Sequence, residues 1–220
     1  MLNMNFNETV VIETNQQEWQ ASPMAGVWRK PLAREAAEHG HTTSVVRFDP
    51  GSYFSTHSHP VGEEILVLEG VFSDEHGDYP AGSYLRHPPG SSHRPFSREG
   101  CVIFVKLDQF DAGDTQTLRI DTNSNEWLPG YGELQVMPLH EHVHESVALV
   151  KWPQNARFQP HRHFGGEEIY VISGTFLDEW GIYPAGTWIR NPHNSEHCPY
   201  VQDETIIWVK TGHMLPNADK

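Results

Sequence analysis

Short apolar runs, broken every few residues by Gly, Pro or Asp, follow one another along most of this chain. Residues 43–48 alternate in the period of two that is typical of a strand, and the Asp-Pro-Gly-Ser stretch at 49–52 predicts a turn. A second run, residues 65–68, ends at Gly70. Strands this short at this spacing favour an all-β sandwich or barrel over alternating strands and helices.

Four segments outside this pattern have a less certain secondary structure. Residues 33–40 have helical composition, but the stretch is so short that a turn or loop is an equally good interpretation. The apolar patch at residues 10–12 predicts an early strand that could pair with another unit, and residues 117–120 could form one more strand. The tail over residues 211–220 is expected to be a frayed terminus.

The chain repeats itself. Residues 62–75 and 166–179 agree at nine of fourteen positions, with an offset of 104. This internal repeat predicts two domains in a chain whose 220 residues would allow one or two. We expect a first domain over 1–110 that includes an N-terminal arm, a connector over 111–129, and a second domain over 130–220.

Each repeat carries three histidines and one glutamate at the same spacing. The two histidines that are two residues apart leave the same face of a strand, and the glutamate follows a turn. Three imidazoles and a carboxylate suit a first-row divalent metal. The predicted ligands are His57, His59, Glu63 and His93 in the first repeat, and His161, His163, Glu167 and His197 in the second.

The same residues allow other interpretations. The histidines could be ordinary barrel residues, or the four ligands could close a tetrahedral structural zinc site. If the four residues bind a metal that takes five or six ligands, one or two of its coordination positions would stay open for a small molecule or dioxygen.

Repeated residues near the ligands also have two interpretations each. Arg86 and Arg190 could orient a bound carboxylate, or pair with a repeated acid such as Asp74 and Asp178 or Glu75 and Glu179. Tyr84 and Trp188 could line a pocket or fill the core. Glu64 and Glu168 have the opposite strand parity to the ligands and are expected to face away from them.

The charge and the cysteine content of the chain limit the partners and the cellular location that we expect. The formal net charge of −14 argues against nucleic acid and anionic membranes. Two cysteines at non-equivalent positions, Cys101 and Cys198, predict no disulfide framework, and no segment looks like a signal peptide or a membrane span. We expect a soluble, cytoplasmic protein that binds a small-molecule ligand or substrate, with a protein partner or a homodimer as further options.

The motifs resemble those of the cupin superfamily. Its first motif matches Gly51, His57, His59, Glu63 and Gly70, and its second matches Gly82, Pro88, Gly90 and His93, with Ser97 at the final asparagine position. In the second copy the same motifs match His161, His163, Glu167, Gly174, Gly186, Pro192 and His197, while Asn155 and Asn194 replace glycines and Val201 stands at the final position. Within that superfamily the stretch around Gly62–Gly82 looks like the ChrR type, the sensory domain of an anti-sigma factor.

This resemblance implies two antiparallel jelly-roll barrels in tandem, each with a metal inside. The metal would be zinc or iron, with manganese or nickel as alternatives, at up to two per chain. The implied function is binding or sensing of a small molecule or oxidant. The alternative is a metal-dependent dioxygenase that acts on a small oxygen-bearing substrate such as a diketone. The cysteine-containing helical zinc domain of ChrR anti-sigma factors is not matched, and no catalytic residue is assigned.

Overall fold

The computed structural model of the protein describes residues 1–215 and consists almost entirely of β-strands. The helical content of this range is one 3₁₀ turn, Thr14–Gln16. The predicted all-β fold is confirmed. Within the same range, no helix has the length and apolar character needed to cross a bilayer. Residues 216–220 of the predicted tail lie outside the described residues.

The strands are short, as the sequence pattern predicts. The first thirteen are β1 (Val10–Glu13), β2 (Gln20–Ala21), β3 (Val27–Arg34), β4 (Thr42–Phe48), β5 (Ser52–Tyr53), β6 (His57–His59), β7 (Glu63–Asp74), β8 (Gly77–Pro80), β9 (Ser83–His87), β10 (Ser91–His93), β11 (Phe96–Ser97), β12 (Cys101–Leu107) and β13 (Leu118–Asp121). The others are β14 (Leu128–Pro129), β15 (Gln135–His142), β16 (Glu145–Trp152), β17 (His161–Arg162), β18 (Glu167–Ser173), β19 (Thr175–Leu177), β20 (Ile182–Pro184), β21 (Thr187–Asn191), β22 (Glu196–His197), β23 (Tyr200–Val201) and β24 (Thr205–Thr211).

The first compact unit, here the first domain, comprises Met1–Met4 and Gln17–Asn125. Its main sheet has the order β13-β9-β7-β12-β4-β3-β2, with β8, β5 and β11 attached through β7, and β6 pairs with β10. All these pairings are antiparallel, which gives a jelly-roll barrel. Its core packs apolar side chains such as Ile65, Val67 and Ile103 from the strands around the barrel.

The second compact unit, the second domain, comprises Asn5–Gln16 and Glu126–Lys220. Its main sheet has the corresponding order β1-β21-β18-β24-β16-β15-β14, and β17 pairs with β22. The core again comes from equivalent strands, with Ile169, Val171 and Ile207 at positions 104 residues after their counterparts. The two domains therefore share one barrel plan.

The domain assignment of the N-terminal arm differs from the sequence-based expectation. Residues 5–16 were expected in the first domain, but they group with the second, where β1 pairs with β21. In the first domain the matching edge position beside β9 is taken by β13, from the predicted connector. Each arm thus completes the sheet of the other repeat, a long-range pairing that local periodicity does not specify.

Several turns of the two repeats need a residue with positive φ, and glycine or asparagine occupies them. Gly70 and Gly174 have φ of 69° and 76°, and an added Cβ would lie 2.1 Å from Gly100 O and 2.4 Å from Glu204 O. Only glycine fits such close backbone approaches. At the two positions where asparagine replaces glycine in the second repeat, φ is 64° at Asn155 and 62° at Asn194. Asparagine tolerates this left-handed conformation, so these turns keep their geometry.

Candidate metal centres

In the first domain, two paired strands and one turn bring the predicted ligands together. His57 and His59 occupy alternate positions of β6, and His57 lies opposite His93 of β10 in the antiparallel register. Glu63 is the first residue of β7, directly after Gly62, which has a φ of 85°. The positive φ at Gly62 lets the chain turn within three residues from β6 into β7.

The second domain repeats this construction. His161 on β17 lies opposite His197 on β22, His163 follows β17, and Glu167 begins β18. The structure therefore brings together all four predicted residues of each repeat.

The nitrogen and carboxylate atoms of each set lie within 4.8 Å of one another. The three imidazole centroids are 4.8–5.2 Å apart in the first domain and 4.5–4.9 Å apart in the second. In each set one histidine is half-buried and the other three residues are buried. Four donors this close can reach a single ion through bonds of about 2.0–2.2 Å.

Hydrogen bonds on the outer side of the rings leave the inner nitrogens available. His57 Nδ1 lies 2.9 Å from Ser55 O, and His161 Nδ1 lies 3.0 Å from Gln159 O. A carbonyl oxygen only accepts, so in both rings Nδ1 is the donor and the lone pair is on Nε2. This tautomer presents Nε2 to a metal.

Buried ring nitrogens without hydrogen bonds provide a test of whether a metal fits. His59 Nε2 and His93 Nε2 lie 3.4 Å and 3.3 Å from Glu63 Oε2, yet both are buried and neither has a hydrogen-bond partner among the residues that the structure describes. His163 Nε2 and His197 Nε2 are buried and unpartnered in the same way. Such buried nitrogens are unfavourable unless something binds them. One cation in each domain would bind the unpartnered nitrogens of that domain, so the residues fit a divalent metal in each set.

The protonation states of the central histidines also suit metal binding. Burial lowers the pKa of His59 to about 4, against the opposing charge of Glu63. Burial, with the neighbouring His197 and His161, lowers the pKa of His163 to about 3. Both rings are therefore neutral near pH 7, as a metal ligand must be.

A buried aspartate stands behind the last histidine of each set. Asp74 Oδ2 lies 3.6 Å from His93 Nδ1, and Asp178 Oδ2 lies 3.1 Å from His197 Nδ1. Tyr79 and Tyr183 donate hydrogen bonds to these aspartates at 3.1 Å and 2.9 Å. Carboxylates in this position orient ligand imidazoles. Asp74 and Asp178 are therefore partners of histidines and not, as was predicted, of the repeated arginines, and their spacing of 104 is the sequence signal that marks them.

The partner of the ligand glutamate differs between the domains. His87 Nδ1 donates to Glu63 Oε2 at 2.8 Å, whereas Asn191 Nδ2 donates to Glu167 Oε2 at 3.2 Å. Burial works to raise the pKa of Glu63, but His59 and His87 outweigh it and lower that pKa to about 2. Burial dominates at Glu167 and raises its pKa. Neither His87 nor Asn191 was singled out from the sequence, because the repeat does not preserve the residue type.

A cavity of about 360 Å³ lies inside the first domain, and the ligand residues His57, His59 and Glu63 form part of its wall. This volume lies in the usual range for small-molecule sites. Its apolar wall comes from Val46, Phe48, Phe54, Phe72, Ile103, Val105 and Leu107. A small molecule in this cavity would lie beside the ligand set.

The repeated arginines have a structural role on the other side of the barrel wall. Arg86 is fully buried, pairs with Glu64 at 3.4 Å and also contacts Asp114, so its acids are not the predicted Asp74 or Glu75. Arg190 donates to Asn5 O at 3.0 Å and packs over the ring of Phe6. Neither arginine lines the cavity of the first domain.

Two further pairs of repeated residues have structural roles. Tyr84 and Trp188 are buried, and they donate hydrogen bonds to Glu64 and Glu168. The two glutamates do not join the ligand sets, as expected from their parity, and both are buried, with Glu64 paired to Arg86 and Glu168 to His213. Both cysteines are free, as expected.

Comparisons with known proteins agree with this architecture. The family described as ChrR Cupin-like domain matches the chain twice, over residues 7–111 and 115–215. A search of curated protein sequences gave no significant match.

Solved structures share the fold at low sequence identity. A candidate dioxygenase from Nostoc punctiforme is 15% identical with a TM-score of 0.77, over 96% of this chain and 85% of its own. The pirin YhhW of Escherichia coli, in complex with nickel(II), is 12% identical with a TM-score of 0.72, over 95% and 99%. A deletion mutant of Bacillus subtilis oxalate decarboxylase is 13% identical with a TM-score of 0.64, over 93% and 77%. At these identities the likeness shows the cupin fold alone.

Proposed function

We propose, from the premise that this chain belongs to the ChrR cupin-like domain family, that it binds one divalent metal in each domain and a small oxygen-bearing molecule in the first. The observation that carries this proposal is the cavity whose wall includes His57, His59 and Glu63. The metal-ligating residues and the cavity together favour a site that binds a small molecule over a purely structural metal site.

The residues suit zinc or iron, with manganese and nickel as alternatives. When bound, the divalent metal would supply a Lewis-acidic centre with one or two open coordination positions. The hydrogen bond from His57 Nδ1 to Ser55 O and the carboxylate of Asp74 beside His93 would hold these imidazoles in orientation. The apolar wall, with Phe54 and Phe72, would exclude water around a bound molecule.

Binding or sensing is the function that the site supports best. Apart from the metal ligands, Arg29, Arg34, Glu38, His39 and Asp108 are the charged or titratable residues of the cavity wall. None of them forms a nucleophile and base pair with a neighbour in the described structure. The alternative is a dioxygenase that acts on a diketone-like substrate, and the structural likeness to a candidate dioxygenase is the reason to test it.

Cobalt(II) substitution tests the proposal, because the visible spectrum of cobalt(II) reports changes in its coordination. We expect acetylacetone to change the spectrum of the cobalt-loaded protein. The change should persist in His161→Ala, which keeps only the first site, and disappear in His57→Ala. A spectral change that follows the second site, or no change in any form, would contradict the proposal.

Dioxygen uptake separates the two candidate functions. The iron(II)-loaded protein would be mixed with acetylacetone under air, and dioxygen would be followed with an electrode. Binding without sustained uptake supports the binding or sensing role, whereas catalytic uptake that His57→Ala abolishes supports the dioxygenase. His76→Ala, an exposed histidine outside both ligand sets, is the matched control.

A further inference from the structure

We propose that the cavity of the first domain binds its ligand as an anion, with Arg29 and Arg34 receiving a carboxylate while the rest of the ligand extends towards the metal site. This inference rests on the proposed function and specifies the chemical class of the ligand. The cavity wall carries these two arginines beside the acids Glu38, Glu63 and Asp108, so the positive charge available to an anion is confined to the two guanidinium groups.

The strand register explains why both arginines reach the same cavity. Arg29 pairs with Val46 and Arg34 pairs with Thr42, two β4 residues that both line the cavity. Arg29 and Arg34 are five residues apart, which would normally place them on opposite faces of a strand. The register shift between Pro31 and Ala33 inserts one extra residue and restores a common face.

A carboxylate of the protein itself shows that Arg29 can hold an anion at this position. Both carboxylate oxygens of Glu38 lie 3.1 Å from Arg29 Nη1. The Glu38 side chain is 51% exposed, whereas that of Arg29 is 16% exposed, so the contact lies at the edge of the cavity. A ligand carboxylate could take the place of Glu38 and gain the bidentate geometry that a guanidinium offers.

Arg34 has hydrogen-bonding capacity to spare. Its Nε is buried and has no hydrogen-bond partner among residues 1–215. Burial and the nearby charge of Arg29 both lower the pKa of Arg34, with Glu38 opposing them. A bound anion would offset both the burial of the Arg34 charge and its repulsion from Arg29. Asp108, another acid of the cavity wall, already accepts hydrogen bonds from the backbone N–H groups of Gly40 and Val61.

The second domain lacks this arrangement. By register, Arg29 corresponds to Val136, which pairs with Val150, and Arg34 corresponds to Glu141, which pairs with Ser146. Seven residues separate the paired Arg34 and Thr42, against four between Glu141 and Ser146. The longer connection carries Glu38, so the arginines and their internal carboxylate belong to the first domain alone.

The test compares an acid with its neutral ester. Benzoylformate and methyl benzoylformate both present a keto oxygen and an apolar ring, but only the acid carries a carboxylate. Each would be titrated into cobalt-loaded His161→Ala protein, so that the visible spectrum reports the first site. We expect the acid to bind more tightly than the ester.

The arginine variants are expected to weaken binding of the acid, and the Glu38 variant is expected to strengthen it. Arg29→Gln and Arg34→Gln should each weaken binding of the acid by about 10- to 100-fold, the usual range for a charged hydrogen bond, and leave the ester unchanged. Glu38→Gln should strengthen binding of the acid by up to about fivefold, since it removes a competing carboxylate. Arg98→Gln, an exposed arginine outside the cavity, should change neither.

The outcomes separate this inference from the proposed function. If the acid and the ester bind equally, or if the arginine variants do not alter their ratio, the anion inference is overturned and the metal-linked cavity stands. If neither compound alters the spectrum and acetylacetone also fails, the proposed function itself is contradicted. Cobalt content of each variant, measured in the same samples, shows that the site is still loaded.

Discussion

The two domains carry the same ligand set in different surroundings. Each has three histidines and a glutamate at a constant offset of 104, held by equivalent strands. Around them, His87 stands where the second domain has Asn191, and the arginines of β3 correspond to Val136 and Glu141. The residues that could hold a metal therefore recur in both domains, whereas the two arginines to which we assign a ligand carboxylate lie in the first alone.

The largest expected effect concerns the feature that the domains share. His57→Ala and His161→Ala should each remove about one metal equivalent per chain, independently, because each deletes one of four ligands from a separate site. Elemental analysis of the purified variants measures this directly. A double variant that keeps its full metal content would show that the ligand assignment is wrong, and His76→Ala should lose no metal.

The cores should respond alike. Ile65 and Ile169 are equivalent and fully buried, so truncation of either to Ala should destabilise its own domain by about 2–5 kcal/mol. Urea unfolding followed by domain-specific hydrogen exchange measures both losses. A loss in one domain and none in the other would break the structural equivalence of the barrels. Exposed Val11→Ala should have little effect by comparison.

The glutamate partners should distinguish the sites. His87→Ala should lower the metal affinity of the first site by about 10- to 100-fold, since it removes a donor that orients Glu63. Asn191→Ala should have a smaller effect on the second site, because its amide is a weaker and longer partner of Glu167. Competition with a chromophoric chelator gives both affinities. Equal losses of metal affinity in the two variants would show that His87 and Asn191 support their glutamates equally well.

The smallest expected effect is at a turn. Gly90 and Asn194 are equivalent and have φ of 82° and 62°. Gly90→Asn should therefore change the free energy of unfolding by less than about 1 kcal/mol, whereas Gly90→Ala should cost about 1–2 kcal/mol, because Ala is strained in the left-handed region. Thermal unfolding of the two variants checks this order. If Asn proved as costly as Ala, the two turns would not be interchangeable.

The internal repeat explains how far the sequence could predict this molecule. Residues of the same type at a fixed offset predicted two domains and two sets of candidate metal ligands, and the structure brings the residues of each set together. The barrel architecture was implied by the resemblance to cupins. His87 was missed because its counterpart is Asn191. Arg29 and Arg34 were missed because their counterparts are Val136 and Glu141, so the repeat preserves neither residue type. The longer connection after β3 also changes the offset at these positions from 104 to 107.

Long-range pairing was the other missing information. The apolar patch at residues 10–12 predicted a strand, but the register of β1 against β21 depends on a partner more than 170 residues away. Local alternation carries no signal for that choice of partner. The pairing of Arg86 with Glu64 was likewise hidden, because a salt bridge across adjacent strands depends on the register.

Anomalous diffraction from crystals of the cobalt-loaded protein soaked with acetylacetone tests the central claim most directly. We predict two anomalous peaks per chain, one within each His3Glu set, and density for acetylacetone in the cavity beside His57 and His59. Acetylacetone beside the peak of the second domain, or no peak within the first ligand set, would contradict the account.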